Sequence, residues 1–223
     1  KLVYDSRIKE TALLGLKAQL GLNKGGAATI ILPPEHPSYN DFTSYRSIVE
    51  IYRDGVLRFR GRALYPTDDF LLQRTITCEG ERCFLRDGIM RPYTYQDDPA
   101  VIFAEVIGLY NAQVEEFKQF AVGDITVTDP NNYIRLESTE AETFADTIDK
   151  LVERVGGYIV FTTNAEGKRV INWLKEITQR STQLIELGTN LLDFQRSTAN
   201  SDLATVIIPY GAKDEETGQR LTI

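Results

Sequence analysis

The sequence has 223 residues, a formal net charge of −7 at pH 7, one histidine and two cysteines. With 42% hydrophobic and 26% charged residues it has a globular composition, which excludes collagenous, disordered and disulfide-stapled classes. No apolar run approaches the roughly 20 residues that span a bilayer, and no signal peptide is recognisable, so we expect no membrane insertion. Because the sequence ends within a run typical of a strand, we expect it to be a fragment of a longer protein.

The charge is unevenly distributed along the chain. Residues 1–95 carry a net charge of +3, and residues 96–223 carry −10. Binding to a nucleic-acid backbone needs clusters of basic side chains. The charge pattern therefore argues against such binding by the second part and leaves a basic surface open for the first.

The clearest local signal in the first part is a hairpin. The runs 47–53 and 56–62 flank Asp54-Gly55, a dipeptide favoured in two-residue type I′ turns. This turn predicts that Tyr52 pairs with Leu57 and that Ile51 pairs with Arg58. Since side chains alternate along a strand, one face carries the arginines of the hairpin. These are Arg53, Arg58, Arg60 and Arg62. Two interpretations stay open, a solvated face and a face that meets a partner subunit or lines a channel.

Two amphipathic helices are predicted in the second part. Asp98 and Pro99 are typical of a helix start, and apolar residues at helical spacing from 103 to 117 predict about five turns. A capping-box pattern at 139–142 predicts the start of a second helix, which Gly156 and Gly157 end. A hairpin at 158–163 and 169–174 follows.

The remaining elements are shorter. We predict a strand at 70–78, a helical turn at 81–87, strands at 124–128, 183–186 and 204–209, a turn at 129–132, a loop at 211–218 and a final strand from 220. The order is β-rich, then mixed, then β-rich. It predicts an α+β fold whose middle part contains the two amphipathic helices.

The sequence offers little for catalysis. His36 lies in a proline-bounded loop without a nucleophile motif, and glycine-rich phosphate loops are absent. Cys78 and Cys83 are expected to be free buried thiols; a local disulfide and a metal site that would include His36 are the alternatives. We therefore expect no catalytic residue, no metal and no cofactor, and classify the chain as not an enzyme.

Several strings, taken in order, resemble one family. They are VEIYRDGVLRFRGR at 49–62, RTITCEGE at 74–81, DGIMRPY at 87–93, TVTDPNN at 126–132, GGYI at 156–159, NLLDF at 190–194 and LATVIIPYG at 203–211. This ordered set resembles the N-terminal region of the tail-tip hub proteins of phages and prophages of Gram-positive bacteria. The family is often called prophage tail endopeptidase or tail-associated lysin, and it is similar to the baseplate hub protein of contractile-tailed phages.

The resemblance implies a structural part of the virion tail, assembled in the bacterial cytoplasm. It implies a trimer that continues the tail tube, contacts distal tail and tape-measure proteins, and lets DNA pass without specific binding. It also implies that peptidoglycan-cleaving or receptor-binding modules, where present, lie further along the full-length chain. The resemblance places a first barrel at 1–92, an α+β domain at 93–190 and the entry to a second barrel at 191–223. We expect the fragment itself to be a monomer or weak oligomer.

Two other functions stay open. A cell-wall peptidase would need a clustered nucleophile and base. A carbohydrate- or receptor-binding module of a tail fibre would need exposed aromatic side chains, for which loop tyrosines are the candidates. These are Tyr39, Tyr45, Tyr93 and Tyr95.

Overall fold

A computed structural model describes residues 1–129, 134–178, 182, 184–191, 193–195, 210–213 and 220–222. The chain divides into two compact units, Lys1–Thr178 and Gln179–Ile223. Most of the predicted turn at 129–132 and the whole predicted strand at 204–209 lie outside the described residues. The domain boundaries implied by the resemblance stay predictions.

The first part of unit Lys1–Thr178 is an antiparallel half-barrel sheet, hereafter the sheet region (residues 15–80). Its strands follow the order β1-β2-β6-β4-β3, with the short β5 beside β6. They are β1 (Gly15–Gly21), β2 (Lys24–Leu32), β3 (Ile48–Arg53), β4 (Val56–Ala63), β5 (Thr67–Asp68) and β6 (Arg74–Gly80). The predicted strand at 70–78 is thus shifted, because residues 69–73 form a turn before β6.

One face of this sheet is apolar. Its buried residues are Ala28, Ile30, Leu32, Val49, Phe59, Ala63, Ile76 and Cys78. The strands that meet at Gly80 approach very closely, since a Cβ atom there would lie 1.5 Å from the carbonyl oxygen of Gly25. Only glycine allows this approach, and it lets the sheet curve around the apolar face.

The β3–β4 hairpin confirms part of the predicted register and corrects the rest. Asp54 and Gly55 both have positive φ (54° and 74°), and Tyr52 pairs with Leu57. A β-bulge then places Ile51 opposite Phe59, so the predicted pairing of Ile51 with Arg58 is wrong. The extra residue brings Phe59 to the same apolar face as Ile51, and burial of these two side chains decides the register.

The following part, hereafter the helical region (residues 81–174), has two α-helices and small sheets, as the predicted α+β class requires. A 3₁₀ turn at Glu81–Arg86 confirms the predicted helical turn. The other elements are β7 (Ile89–Met90), β8 (Tyr93–Asp97), α1 (Pro99–Asn111), a 3₁₀ turn (Glu116–Lys118), β9 (Ala121–Ile125), β10 (Ile134–Ser138), β11 (Glu142–Thr143), α2 (Phe144–Val155), β12 (Tyr158–Thr163) and β13 (Arg169–Leu174).

Three sheets connect these elements. β8 pairs with β10, β7 pairs with β11, and β12-β13-β9 form a mixed sheet in which β9 runs parallel to β13. The predicted β12–β13 hairpin is confirmed. The predicted strand at 124–128 is shifted to β9, and β10 was not predicted. Pairing with the buried β13 decides the position of β9, which local residue pattern could not show.

Helix α1 begins as predicted but is shorter. The Asp98 carboxylate accepts a hydrogen bond from the amide of Ala100 (2.8 Å), and Pro99 is the first helical residue. The helix ends at Asn111, not after five turns. The Asn111 side chain donates to the carbonyl of Phe120 (2.8 Å) and accepts from the amide of Phe120 (3.0 Å). These two hydrogen bonds hold Phe120 against the end of the helix. Residues 112–117 of the predicted helix therefore lie outside α1.

The N-cap of helix α2 lies four residues after the predicted cap, Thr139. Thr143 is its N-cap, and the Thr143 and Asp146 side chains each accept the other's backbone amide in a capping box. Residues 139–142 instead lead into β11. Gly156 ends the helix with a φ of 86°, as predicted.

The core of the helical region is larger and rich in aromatic side chains. Trp173 is fully buried, donates to the carbonyl of Gly156 (3.0 Å) and stacks near Phe103 with ring centroids 5.4 Å apart. Tyr110 meets Phe144 edge to face at 5.5 Å. Both helices contribute to this core, together with β9, β12 and β13.

The unit Gln179–Ile223 contains one described hairpin, β14 (Tyr210–Lys213) with β15 (Arg220–Thr222). The strand predicted at 183–186 is absent from residues 184–186, and the predicted loop at 211–218 begins within β14. Among the described residues, no helix is long and apolar enough to cross a membrane.

Candidate interaction site

A group of charged side chains lies where the sheet region meets the helical region, hereafter the charged seam. It consists of Arg60, Arg62, Glu81, Asp87 and Arg169. β4 supplies the first two arginines, the 3₁₀ turn after β6 supplies Glu81, and β13 supplies Arg169. Elements distant in sequence therefore converge on one buried site.

Glu81 is the centre of the seam. Its Oε1 lies 3.0 Å from Nε of Arg169 and 3.8 Å from Nε of Arg60, and its side chain is only 8% exposed. Nε of Arg60 also lies 3.2 Å from Oε1 of Glu50, and its Nη1 donates to Thr163 (3.0 Å). One carboxylate thus holds two guanidinium groups from different regions.

Burial dominates the electrostatics of this centre. It raises the pKa of Glu81, although the positive charges of Arg169 and Arg60 act in the opposite direction. Burial likewise lowers the pKa of Arg169, against the attraction of Glu81. Each charge is costly to bury alone, so the seam is held together by mutual pairing.

Arg62 is held equally firmly. Its Nη1 donates to both carboxylate oxygens of Asp87 (2.8 and 2.7 Å), and its guanidinium lies 5.3 Å from the centroid of the Phe84 ring. Burial by itself lowers the pKa of Arg62, but the hydrogen bonds to Asp87 and nearby negative charge outweigh it, and the pKa is raised.

The structure divides the four arginines of the predicted face. Arg53 has an 83% exposed side chain 3.7 Å from Asp54, and Arg58 is exposed as well. Arg60 and Arg62 turn inward and pair with acids of the same chain. That the arginines meet a partner or line a channel stays a prediction. Replacing Arg60 and Arg62 by glutamate would place new carboxylates against those of Glu81 and Asp87. A glutamate substitution can therefore test the predicted contact only at Arg53 and Arg58.

An open pocket of about 540 Å³ adjoins the seam. Its apolar lining includes Ile48, Phe117 and Phe120. Its charged lining consists of Arg60, Lys168 and Arg169 with one acid, Glu116. Phe117 is 38% exposed within it, so an aromatic surface there is in contact with water.

Sequence reasoning missed Glu81 and Arg169. Their separate strings show only a charged residue beside an apolar run, and this pattern usually marks a solvated position. Their pairing depends on contacts between β13 and the turn after β6, so no local signal identifies it.

The residues considered for catalysis lie apart. His36 is buried, and its Nδ1 accepts a hydrogen bond from the amide of Ser38 (3.0 Å). Cys78 and Cys83 are free and buried, as predicted, and burial raises the pKa of each thiol to about 12. Within the described part of the chain, no three side chains from His, Cys, Asp and Glu converge as metal ligands.

The tyrosines considered for receptor binding are partly used within the chain. Tyr39 donates to the carbonyl of Leu72 (2.8 Å), and Tyr93 donates to Oε1 of Glu142 (2.8 Å) and lies against Tyr95. Tyr45 is 43% exposed and meets another tyrosine ring edge to face. They do not form one shared platform.

No family model and no curated protein matches this sequence. Among solved structures, the chain is similar to prophage tail protein gp18 from Listeria monocytogenes EGD-e, with a TM-score of 0.53 and 15% sequence identity. The match covers 93% of this chain and 60% of that one, so the chain spans less than two thirds of that protein.

A second similar structure is the E. coli c3393 protein, described as a component of the type VI secretion system with structural similarity to T4 bacteriophage tail proteins gp27 and gp5. Its TM-score is 0.45 at 14% identity, over 73% of this chain and 48% of that one. The structural similarity confirms the resemblance found in the sequence, and the chain has the fold of a prophage tail protein.

Proposed function

We propose that this chain is a structural component of a phage or prophage tail tip, acting as a baseplate-hub-like protein. The single observation that carries the proposal is the similarity to a prophage tail protein over 93% of the chain. The ordered motifs that resemble tail-tip hub proteins support it independently. In this function the full-length protein forms a trimeric ring that continues the tail tube and carries wall-acting modules further along the chain.

The proposal includes location and partners. The protein resides in the virion tail, contacts distal tail and tape-measure proteins, and surrounds DNA without specific binding. It performs no catalysis in this segment, since the single histidine lies in a loop without a nucleophile motif. The exposed arginines Arg53 and Arg58 are candidates for contact with a neighbouring subunit or for the channel side.

The decisive experiment removes the reading frame from the phage or prophage that encodes it. We expect electron microscopy to show no complete tails, and complementation with the intact gene to restore them. Normal, infectious tails without the protein would contradict the proposal. Clearing of a peptidoglycan zymogram by the purified chain would favour the peptidase alternative instead.

A second experiment tests the exposed arginines. The R53E/R58E double variant should complement poorly while its thermal unfolding midpoint stays close to wild type. R135E is the matched control, because Arg135 is a 62% exposed arginine on β10. Full complementation by R53E/R58E would remove these two residues from the proposed contact.

A further inference from the structure

Residues 1–5, hereafter the N-terminal segment, have the burial pattern of a strand but no strand partner. Val3 and Asp5 are half-buried, whereas Leu2 is 58% and Tyr4 43% exposed. This alternation is typical of a strand with one face on a core, and Val3 packs against the apolar cluster of the sheet region. In the described part of the chain, no backbone hydrogen bond joins residues 1–4 to another backbone group. The segment therefore lies against the sheet without being part of it.

The outer edge of β3 also has no partner. β3 is the last strand in the order of its sheet, so among the described residues no strand pairs with the outer side of its backbone. Such an edge presents a row of unpaired N–H and C=O groups, which readily pair with a further strand. Val49 and Ile51 extend the apolar cluster of the sheet region up to this edge.

A pocket of about 780 Å³ lies between the N-terminal segment and β3. One wall consists of residues 1–7, and the other includes every residue from Ile48 to Tyr52. Side chains alternate between the two faces of a strand, so five consecutive lining residues show that the pocket runs along the edge of β3. Leu16, Ile30 and Phe42 complete its apolar lining.

The pocket has the size of one short strand. A strand residue occupies about 3.3 Å along the strand, about 4.8 Å across it and about 10 Å through the sheet, which is about 160 Å³. The pocket therefore has room for about five strand residues. The N-terminal segment has this length, and β3 beside it has six residues.

Contacts at both ends hold the N-terminal segment in its present position. At its end, the amide of Asp5 donates to Oγ1 of Thr11 (3.0 Å), and the amide of Ile8 donates to the carbonyl of Asp5 (2.9 Å) in the turn that follows. At its start, Lys1 forms an ion pair with Asp41, and these side chains are 59% and 41% exposed. Exposed ion pairs contribute little to stability, so the start of the segment is held weakly.

We propose that the N-terminal segment is a strap that closes onto the outer edge of β3 as a further strand and fills this pocket. Closure pairs free backbone groups of both partners and covers the apolar residues at the edge. The ion pair of Lys1 opposes closure, because it keeps the start of the segment on Asp41 in the loop before β3. The segment thus decides whether the sheet offers an open edge to another protein.

Disulfide trapping tests the closed position. Paired residues of neighbouring strands lie about 4.5–5.5 Å apart, a separation that a disulfide bridges. Tyr4→Cys combined with Tyr52→Cys or with Glu50→Cys should therefore oxidise within one chain. At least one of these pairs should react at least about tenfold faster than the control pair, Tyr4→Cys with Arg135→Cys on β10.

The trapping experiment needs no change to the native cysteines. All four substituted positions are exposed, so the variants should keep the wild-type thermal unfolding midpoint. Cys78 and Cys83 are buried with a thiol pKa raised to about 12, so they do not compete for oxidation.

Hydrogen exchange tests the role of Asp41. Asp41→Asn removes the ion pair with Lys1, and we expect the protection of amides 2–4 to rise about two- to fivefold, as the loss of one exposed ion pair allows. Glu137→Gln is the matched control, because it removes the exposed pair with Arg135 and should leave these amides unchanged.

Three results would overturn the proposal. They are oxidation of both test pairs no faster than the control pair, unchanged or lower protection of amides 2–4 in Asp41→Asn, and disulfides that form only between differently tagged copies. The last result would show that the segment pairs with another chain. All of these measurements use the purified chain alone, so their outcome is independent of whether the proposed tail function holds.

Discussion

The two regions of unit Lys1–Thr178 bury their apolar residues in different ways. The sheet region places one face of a curved sheet around a small cluster, and its edge strand β1 has leucines such as Leu16 and Leu20 exposed to solvent. The helical region encloses its core between two helices and several strands, with large aromatic side chains such as Trp173 at full burial. One core is open at an edge and the other is closed.

The difference between the open and the closed core indicates which region is suited to contact with another protein. A closed core needs nothing further to remain folded, whereas an open sheet with an exposed edge is suited to assembly. Between them lies the charged seam. A separate contact also joins the regions, because the Asn23 side chain donates to the carbonyl of Gly157 (3.2 Å) and accepts from the amide of Ile159 (2.7 Å). Polar contacts join the regions here, together with Ile48 of β3, which packs against the core of the helical region.

The largest expected effect compares the two cores with one substitution type. F103A in the closed core should lower the free energy of unfolding by about 3–5 kcal/mol, because neighbours enclosed on all sides cannot fill the cavity. F59A in the open core should cost less, since the sheet can relax around it. Urea unfolding measures both, and an equal or larger loss for F59A would contradict the distinction between open and closed cores.

Glu81→Gln tests the connection between the regions. It leaves Arg169 and Arg60 buried with no neutralising carboxylate at the centre of the seam, and we expect a loss of about 3 kcal/mol. Glu50→Gln is the control, because its side chain is 37% exposed and such pairs contribute less than about 1 kcal/mol. Equal, small losses in denaturant unfolding would show that the seam is not a critical contact.

Thr143→Ala tests the start of α2 within the helical region. Loss of the capping hydrogen bond to the amide of Asp146 should cost about 1 kcal/mol. Thr139→Ala, at the cap position predicted from the sequence, should change stability by less than about 0.5 kcal/mol. Thermal unfolding of the two variants distinguishes the two cap positions. A larger loss of stability for Thr139→Ala than for Thr143→Ala would show that the helix begins at the cap predicted from the sequence.

The smallest effect concerns pH. Burial alone would raise the pKa of Glu142, but hydrogen bonds from Lys150, Tyr93 and Thr147 outweigh it, so the pKa is lowered from 4.5. Glu142 therefore stabilises the fold fully above pH 4.5, and this contribution disappears as the pH falls through the lower folded-state value.

Urea unfolding of wild type and E142Q between pH 7 and pH 3 measures this contribution. The stability difference between the two proteins should be constant above about pH 5 and should decrease below pH 4.5. A difference that grows as the pH falls would show that the carboxylate is destabilising, and the network around Glu142 would need another explanation.

Local chemistry predicted the elements whose signals are complete within a few residues. The Asp54-Gly55 turn, the Asp98 cap, Gly156 at the end of α2 and the β12–β13 hairpin all occur where the sequence indicates them. The predicted capping box failed because two consecutive patterns, 139–142 and 143–146, compete for the start of the helix. The pattern at 143–146 forms the helix start, because it leaves residues 142 and 143 able to pair with β7.

The candidate site was predicted only in part. Alternation placed Arg58, Arg60 and Arg62 together, but it could not tell an exposed guanidinium from a buried one. The acids that separate them are Glu81, at the start of the 3₁₀ turn, and Asp87, directly after it. This segment reaches the arginines only after β4 and β6 have paired. Ion pairs between distant elements leave no periodic signal in the sequence.

The sequence by itself determined the α+β class, the absence of a membrane-length apolar run, and the resemblance to tail-tip hub proteins, because composition, turns and ordered motifs are properties of the chain. Tertiary structure decided the bulge that brings Phe59 to the core, the end of α1 at Asn111, and the division of the arginines into buried and exposed pairs. Each of these depends on burial and pairing between residues far apart in sequence, and such energies arise only when the elements meet.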